Sequence, residues 1–238
     1  MQPHKLIYLL PNILTASSIF VGMLSIVEAS QNHFDQAAWL ILLALLLDGL
    51  DGRVARLTNT SSRFGVEFDS LADIVSFGMA PAMLLYFYVG CRFGRFGILV
   101  SALYVIFGAI RLARFNITTA QSDPNVFIGL PIPTAAIALA TSLLFFEEYH
   151  LHPWALALLI AAFFVSLLMV SNIRYPSFKT VQLNRPIVNK ALILLMLVAS
   201  MLYLFSAEGF TMLVWVYILY GPIRAIRAMS LRTFYRKS

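Results

Sequence analysis

The chain has 238 residues, of which 60% are hydrophobic and 12% charged, and its mean hydropathy is +0.82. Soluble domains carry about twice that share of charge, so a water-soluble enzyme or binding module is excluded and the chain reads as an integral membrane protein. The formal net charge of +6 calls for no nucleic acid, because anionic headgroups and the sidedness of the basic residues account for it, and the single Cys91 excludes an intrachain disulfide.

A helix needs about 20 apolar residues to cross a bilayer, and apolar runs of that order recur along the sequence at 9–27, 34–57, 66–89, 95–115, 131–147, 152–173, 188–206 and 209–228. Backbone in lipid must satisfy its own hydrogen bonds, so these runs are expected to be helices. The expected fold is all-α: a polytopic membrane-helix bundle of about eight transmembrane helices forming one integral membrane domain, residues 1–238. The first run follows the basic start MQPHK but has no small-x-small cleavage site, so it is expected to be a retained span.

With the N-terminus in the cytoplasm, the cytoplasmic side collects every lysine and arginine except Arg92 and Arg95, which is fifteen of the seventeen. The opposite loops hold Glu28, Asp35, Glu147, Glu148 and Glu208. This bias and the even span count put both termini in the cytoplasm. The tail RAIRAMSLRTFYRKS is then an interfacial anchor, and His150 and His152 fall in a solvated outer loop. The longer connections ITTAQSDPNVFIGLPIP and IRYPSFKTVQLNRPIVNK are rich in turn-setting proline and are expected to be ordered over the cytoplasmic face.

The stretch LLLDGLDGRVARL interrupts the second apolar run with charge. Asp48 and Asp51 are three apart and share one helix face; in the third run Asp69 and Asp73 are four apart and do the same. If the two spans form an antiparallel hairpin about the polar turn LTNTSSRF, Asp51 lies level with Asp69 and Asp48 level with Asp73. Four carboxylates then converge about 8 to 14 Å below the turn.

An unpaired charge at membrane depth costs on the order of 3 kcal/mol or more. Arg53 and Arg56 cannot supply a compact counter-charge at the centre of four acids. Divalent cations can, and an all-oxygen site suits Mg²⁺ or Mn²⁺, with room for two ions between four aspartates. Gly52 and Ala55 lie on the stripe of Asp48, with Gly65 one turn before Asp69, leaving space beside the acids for a flat group or a ligand backbone; close helix packing is the other use of such residues. Arg56, on the same face nearer the cytoplasm, points to a phosphate or diphosphate substrate. The competing structural reading is a buried salt-bridge network joining the two helices.

The pattern D-G-L-D-G-R-V-A-R, eight residues, then G-V-E-F-D-S-L-A-D resembles the signature D-x2-D-G-x2-A-R-x8-G-x3-D-x3-D of the CDP-alcohol phosphatidyltransferases, with all fixed positions matched by Asp48, Asp51, Gly52, Ala55, Arg56, Gly65, Asp69 and Asp73. The resemblance implies a reaction in which an alcohol displaces CMP from a CDP-linked lipid. It further implies that Asp48, Asp51 and Asp69 are metal ligands, and that Asp73 is a second-metal ligand and the base for the acceptor hydroxyl. Gly52, Ala55 and Gly65 would line the nucleotide site, Arg56 would hold the diphosphate, and the protein would be a homodimer built on a six-helix family core plus two C-terminal spans.

PNILT, SLADIVSFGMAP, RLARFN, FIGLPIPTAA and MVSNIRYPSFK are most similar to serine-accepting members of that family. This implies CDP-diacylglycerol and L-serine as substrates, phosphatidylserine and CMP as products, and a prokaryotic cytoplasmic membrane with the site facing the cytoplasm. Arg111 and Arg114, three apart at the cytoplasmic end of the fourth span, suit a carboxylate or phosphate and equally suit positive-inside anchoring. Asn116 could add an amide contact, Arg63 in the turn is open to the same two readings, and Asn12 either touches the nucleotide or caps a helix. Two alternatives stand beside this reading: the same family with glycerol 3-phosphate or an inositol phosphate as acceptor, and a cation transporter using the aspartates as its ion site.

Overall fold

The computed structural model describes residues 3–58, 60, 62–118, 126–176 and 206–235. Two long helices open the chain, α1 (Pro3–Ser30) and α2 (Phe34–Leu57). The third apolar run divides into α3 (Arg63–Asp73), a π-helical segment Ile74–Met79 and α4 (Ala80–Tyr88). Beyond these lie α5 (Gly94–Thr118), α6 (Ile132–Glu148), α7 (Leu156–Val170) and α8 (Ser206–Tyr235). Among the described residues, four helical stretches are long and apolar enough to cross a membrane: Leu9–Ser30, Arg63–Tyr88, Gly90–Thr118 and Glu208–Arg227. The 24-residue α2 matches them in length but carries the motif charges, while α6 and α7 have 17 and 15 residues. The protein is thus an all-α, polytopic membrane-helix bundle; the expected span at 188–206 lies outside the described residues.

One feature departs from the all-α expectation. Strands β1 (Val126–Ile128) and β2 (Arg174–Pro176) pair antiparallel, with Phe127 opposite Tyr175. The pair joins the two proline-rich connections, of which residues 119–125 and 177–190 are outside the description.

Helix association in lipid rests on close packing and interhelical hydrogen bonds, because the lipid tails are as apolar as the side chains. Here α1 lies along α2, whose Ala37, Ala38 and Ala44 are fully buried; Ser25 of α1 donates to the Ala37 carbonyl at 2.8 Å. The central α6 is rich in small residues, with Ala135, Ala136, Ala138 and Ala140 all buried. At the end of the bundle away from the aspartates, Gly90 and Gly97 bring two backbones together: a Cβ on Gly97 would lie 2.0 Å from the Gly90 carbonyl oxygen.

The polar turn between α2 and α3 is built by local hydrogen bonds. Thr58 donates from its hydroxyl to the Val54 carbonyl (2.7 Å), closing α2, and Ser62 opens α3 as N-cap by accepting from the Gly65 amide (3.0 Å). Beyond Asp73 the helix widens into the π segment. Pro81 has no N–H to give the Phe77 carbonyl, and the buried Tyr104 hydroxyl of α5 donates there at 3.2 Å. On the other side Ser76 donates to the Ser18 carbonyl of α1 at 3.0 Å, where Gly22 lets the helices meet: a Cβ on Gly22 would lie 3.0 Å from the Ser76 Cα.

Candidate active site

The turn folds α2 and α3 into the hairpin expected from the sequence. One carboxylate oxygen from each of Asp48, Asp51 and Asp69 falls within 4.8 Å of the others. Asp48 lies within hydrogen-bonding reach of both Asp69 and Asp73, and Asp51 is close enough to Asp69 to act on it electrostatically. Asp51 is buried and accepts a 2.5 Å hydrogen bond from the Thr15 hydroxyl of α1. Asp73 is also buried, and its Oδ1 has no hydrogen-bond partner among the described residues.

Among the described residues no lysine or arginine forms an ion pair with any of the four acids, and Arg53 and Arg56 are both exposed. The salt-bridge reading therefore lacks its cations. Clustered acids, an orphaned carboxylate oxygen and the absence of His or Cys from the cluster fit a divalent cation held by oxygen. The cluster Asp48, Asp51 and Asp69 is able to coordinate one.

A cavity of about 200 Å³ adjoins the acids, lined by Asp51, Gly52, Ala55, Arg56, Gly65 and Asp69 among others. Six of the eight signature positions thus border a single space. The two glycines keep it open. A Cβ on Gly65 would lie 3.2 Å from the Ser62 Oγ and 3.6 Å from the Asn12 Oδ1, and one on Gly52 would lie 3.5 Å from Nη1 of Arg56. Asn12 therefore reaches the cavity wall. A larger apolar groove of about 750 Å³ runs between α2, α6 and α8 past Trp39 and Leu45. It touches none of the four aspartates, so the chemistry belongs to the smaller space.

The two arginines of α5 part company. Arg111 is buried, spreads over the Phe115 ring at 5.0 Å from its centroid, and is close enough to Asp73 to feel its charge; its Nε has no hydrogen-bond partner among the described residues. Arg114 turns away. Its guanidinium donates to the carbonyls of Ile128, Met169, Val170 and Ser171 and to the Asn172 side chain, all at 3.0 to 3.4 Å. It thereby ties the start of the β pair to the end of α7. Asn116 donates to the Ser70 hydroxyl at 2.9 Å, linking α5 to the helix that carries Asp69, and Arg63 stands exposed at the start of α3.

Sequence reasoning did not single out Thr15, Thr60 or Ser62, all of which border the cavity. Thr15 lies in an apolar run and offers no contrast with it, although its phase, four residues after Pro11, was available. His152, in the connection between α6 and α7, is partly exposed and meets the Tyr88 hydroxyl at 3.1 Å, and His33 meets Glu28 at 2.7 Å. Among the described residues, no histidine joins a group with metal-binding spacing.

The hairpin, its carboxylates and the adjoining cavity define a class. The chain belongs to the CDP-alcohol phosphatidyltransferase family, whose model matches residues 8–168. Along nearly its whole length it is similar to the CDP-diacylglycerol--serine O-phosphatidyltransferase of Helicobacter pylori strain J99, with 53% identity over 96% of this chain and 95% of the relative. It is 37% identical to the protein of the same description from Methanocaldococcus jannaschii, over 88% of this chain and 94% of that one. The archaetidylserine synthase of Methanothermobacter thermautotrophicus is 41% identical, over 70% and 69% of the two chains.

Proposed function

We propose that the protein transfers the phosphatidyl group of CDP-diacylglycerol to the hydroxyl of L-serine, giving phosphatidylserine and CMP. The observation that carries this is the 53% identity to a serine transferase over 96% of the chain. All eight signature positions are present, as the reaction requires. A cation transporter finds no comparable support. Glycerol 3-phosphate or an inositol phosphate as acceptor would ask for a denser basic cluster than Arg111 provides beside the acids.

In this reading residues 1–238 form one catalytic membrane domain of about eight spans, with both termini and the active site on the cytoplasmic side of a prokaryotic membrane, and two copies associate as a homodimer. Asp48, Asp51, Asp69 and Asp73 hold Mg²⁺ or Mn²⁺, two ions in all. Held there, such cations would supply the positive charge that neutralises a diphosphate and a leaving CMP. Gly52, Ala55 and Gly65 leave room for the nucleotide, and Arg56 holds the diphosphate at the cytoplasmic rim. Asp73 takes the proton of the serine hydroxyl as its oxygen bonds to phosphorus and the bond from phosphorus to the CMP oxygen breaks. Arg111 receives the serine carboxylate, Asn116 and Arg63 frame the acceptor side, and Arg114 acts there through the backbone it grips.

The test is CMP release by purified protein supplied with CDP-diacylglycerol, Mg²⁺ or Mn²⁺, and single acceptors. Metal-dependent release with L-serine is expected. Absence of release with every acceptor would overturn the enzyme reading, and release with glycerol 3-phosphate alone would replace the acceptor.

A further inference from the structure

The carboxylates able to hold a cation all come from the hairpin, yet one of them is held from outside it. Thr15 belongs to α1, a helix with none of the eight signature positions, and its hydroxyl donates to Oδ2 of Asp51 at 2.5 Å. Both residues are only 4% exposed, so the bond is shielded from water. The direction of the hydroxyl is set by the residues that follow on the same face of α1. Ser18 reaches the Ala44 carbonyl at 3.3 Å, Gly22 brings α1 against Ser76, and Ser25 donates to the Ala37 carbonyl at 2.8 Å. The helix therefore cannot turn about its axis without breaking contacts with both α2 and the π segment.

A threonine inside a helix commonly bonds back to the carbonyl four residues earlier. That acceptor is present here, the Pro11 carbonyl at 3.1 Å, but the hydroxyl has one proton and Asp51 is nearer. A hydrogen bond to an ionised acceptor is roughly twice as strong as one to a neutral acceptor, so the proton goes to the carboxylate. The bond fixes the rotation of that carboxylate about its Cβ–Cγ bond, and with it the edge turned toward Asp48 and Asp69, whose oxygens lie within 4.8 Å of one of its own. A neutral donor does this without setting a positive charge beside a cation.

We propose that Thr15 is a positioning residue for the divalent cation: its hydroxyl holds Asp51 in the orientation that lets the three carboxylates close on one ion. The inference rests on the cation site proposed above and extends it to a helix that the signature does not reach. Removing a hydrogen-bond partner that orients a metal ligand typically costs about 10- to 100-fold in metal affinity. Thr15 thereby ties the docking of α1 to the loading of the site.

The experiment titrates purified wild type, Thr15→Val, Thr15→Ser and Asp69→Ala with Mn²⁺ and follows the paramagnetic resonance signal of the free ion. Thr15→Val keeps the shape and removes the donor, so its dissociation constant for Mn²⁺ should rise about 10- to 100-fold. Thr15→Ser keeps the donor and should bind as wild type does. Half-maximal CMP release should need proportionally more Mn²⁺ in Thr15→Val, while the KM for L-serine at saturating Mn²⁺ stays in place. A purely structural role would instead lower the unfolding midpoint of the metal-free protein and leave the Mn²⁺ affinity of Thr15→Val unchanged; that result overturns the proposal. So does Thr15→Ser binding as weakly as Thr15→Val. Where Thr15→Val does not fold, Thr15→Ala, which removes the donor without adding a second methyl group beside Asp51, is read by the same criteria. Failure of wild type to bind Mn²⁺, or undiminished binding by Asp69→Ala, overturns the cation site itself.

Discussion

Asp73, buried like Asp51, differs from the other three acids in its company: it neighbours Arg111, and one of its oxygens is buried with no hydrogen-bond partner among the described residues. Those features suit a group that exchanges a proton with an incoming ligand. Asp73→Asn keeps the shape and removes the basic oxygen, so CMP release should fall at least about 100-fold while CDP-lipid binding persists; normal turnover in this variant would remove Asp73 as the base. Asp69→Ala, in contrast, should abolish metal-dependent binding of the CDP-lipid, measured by titration with and without a chelator. The acids were legible in the sequence because charge in an apolar run stands out and spacings of three and four fix a helix face. Thr15 was not, since an uncharged threonine beside Ser17 and Ser18 in an otherwise apolar run carries no such contrast, although its hydroxyl holds Asp51. Arg111 and Arg114 were indistinguishable on paper, and only the fold turns one to the acids and the other to backbone carbonyls.

At the scale of elements, the hairpin register followed from the aspartates and the turn, but the π segment did not. One extra residue in a helical run leaves hydropathy unchanged, while it rotates the remainder of the helix by about 100°. The β1 and β2 pair was equally silent, because three-residue strands are too short to show an alternating pattern. Glycine gives the sharpest test at this scale. At Gly97 an added Cβ would meet backbone at 2.0 Å, whereas at Gly49, inside the charged stretch, it would meet nothing within 4 Å. Gly97→Ala should lower the midpoint of thermal unfolding in detergent by several degrees, and Gly49→Ala, which favours the helix by up to about 1 kcal/mol, should not lower it. Equal behaviour of the two variants would contradict the close approach at Gly90.

For the whole molecule, the proposed orientation puts the turn Gly90–Phe93 on the outer side, and the exposed Cys91 within it is the only cysteine of the chain. A membrane-impermeant maleimide should therefore label right-side-out vesicles and spare inverted ones; the reverse pattern would turn the topology over. The carboxylate cluster has a further consequence at this scale, one of mass action. A cation bound by the native bundle and not by the unfolded chain stabilises the fold by about 2.7 kcal/mol at a hundred times its dissociation constant. Raising Mg²⁺ should raise the unfolding midpoint of wild type and leave that of Asp69→Ala in place. The acids that weaken α2 and α3 as spans in isolation then make the free divalent-cation concentration of the cell a determinant of how firmly the helices hold together.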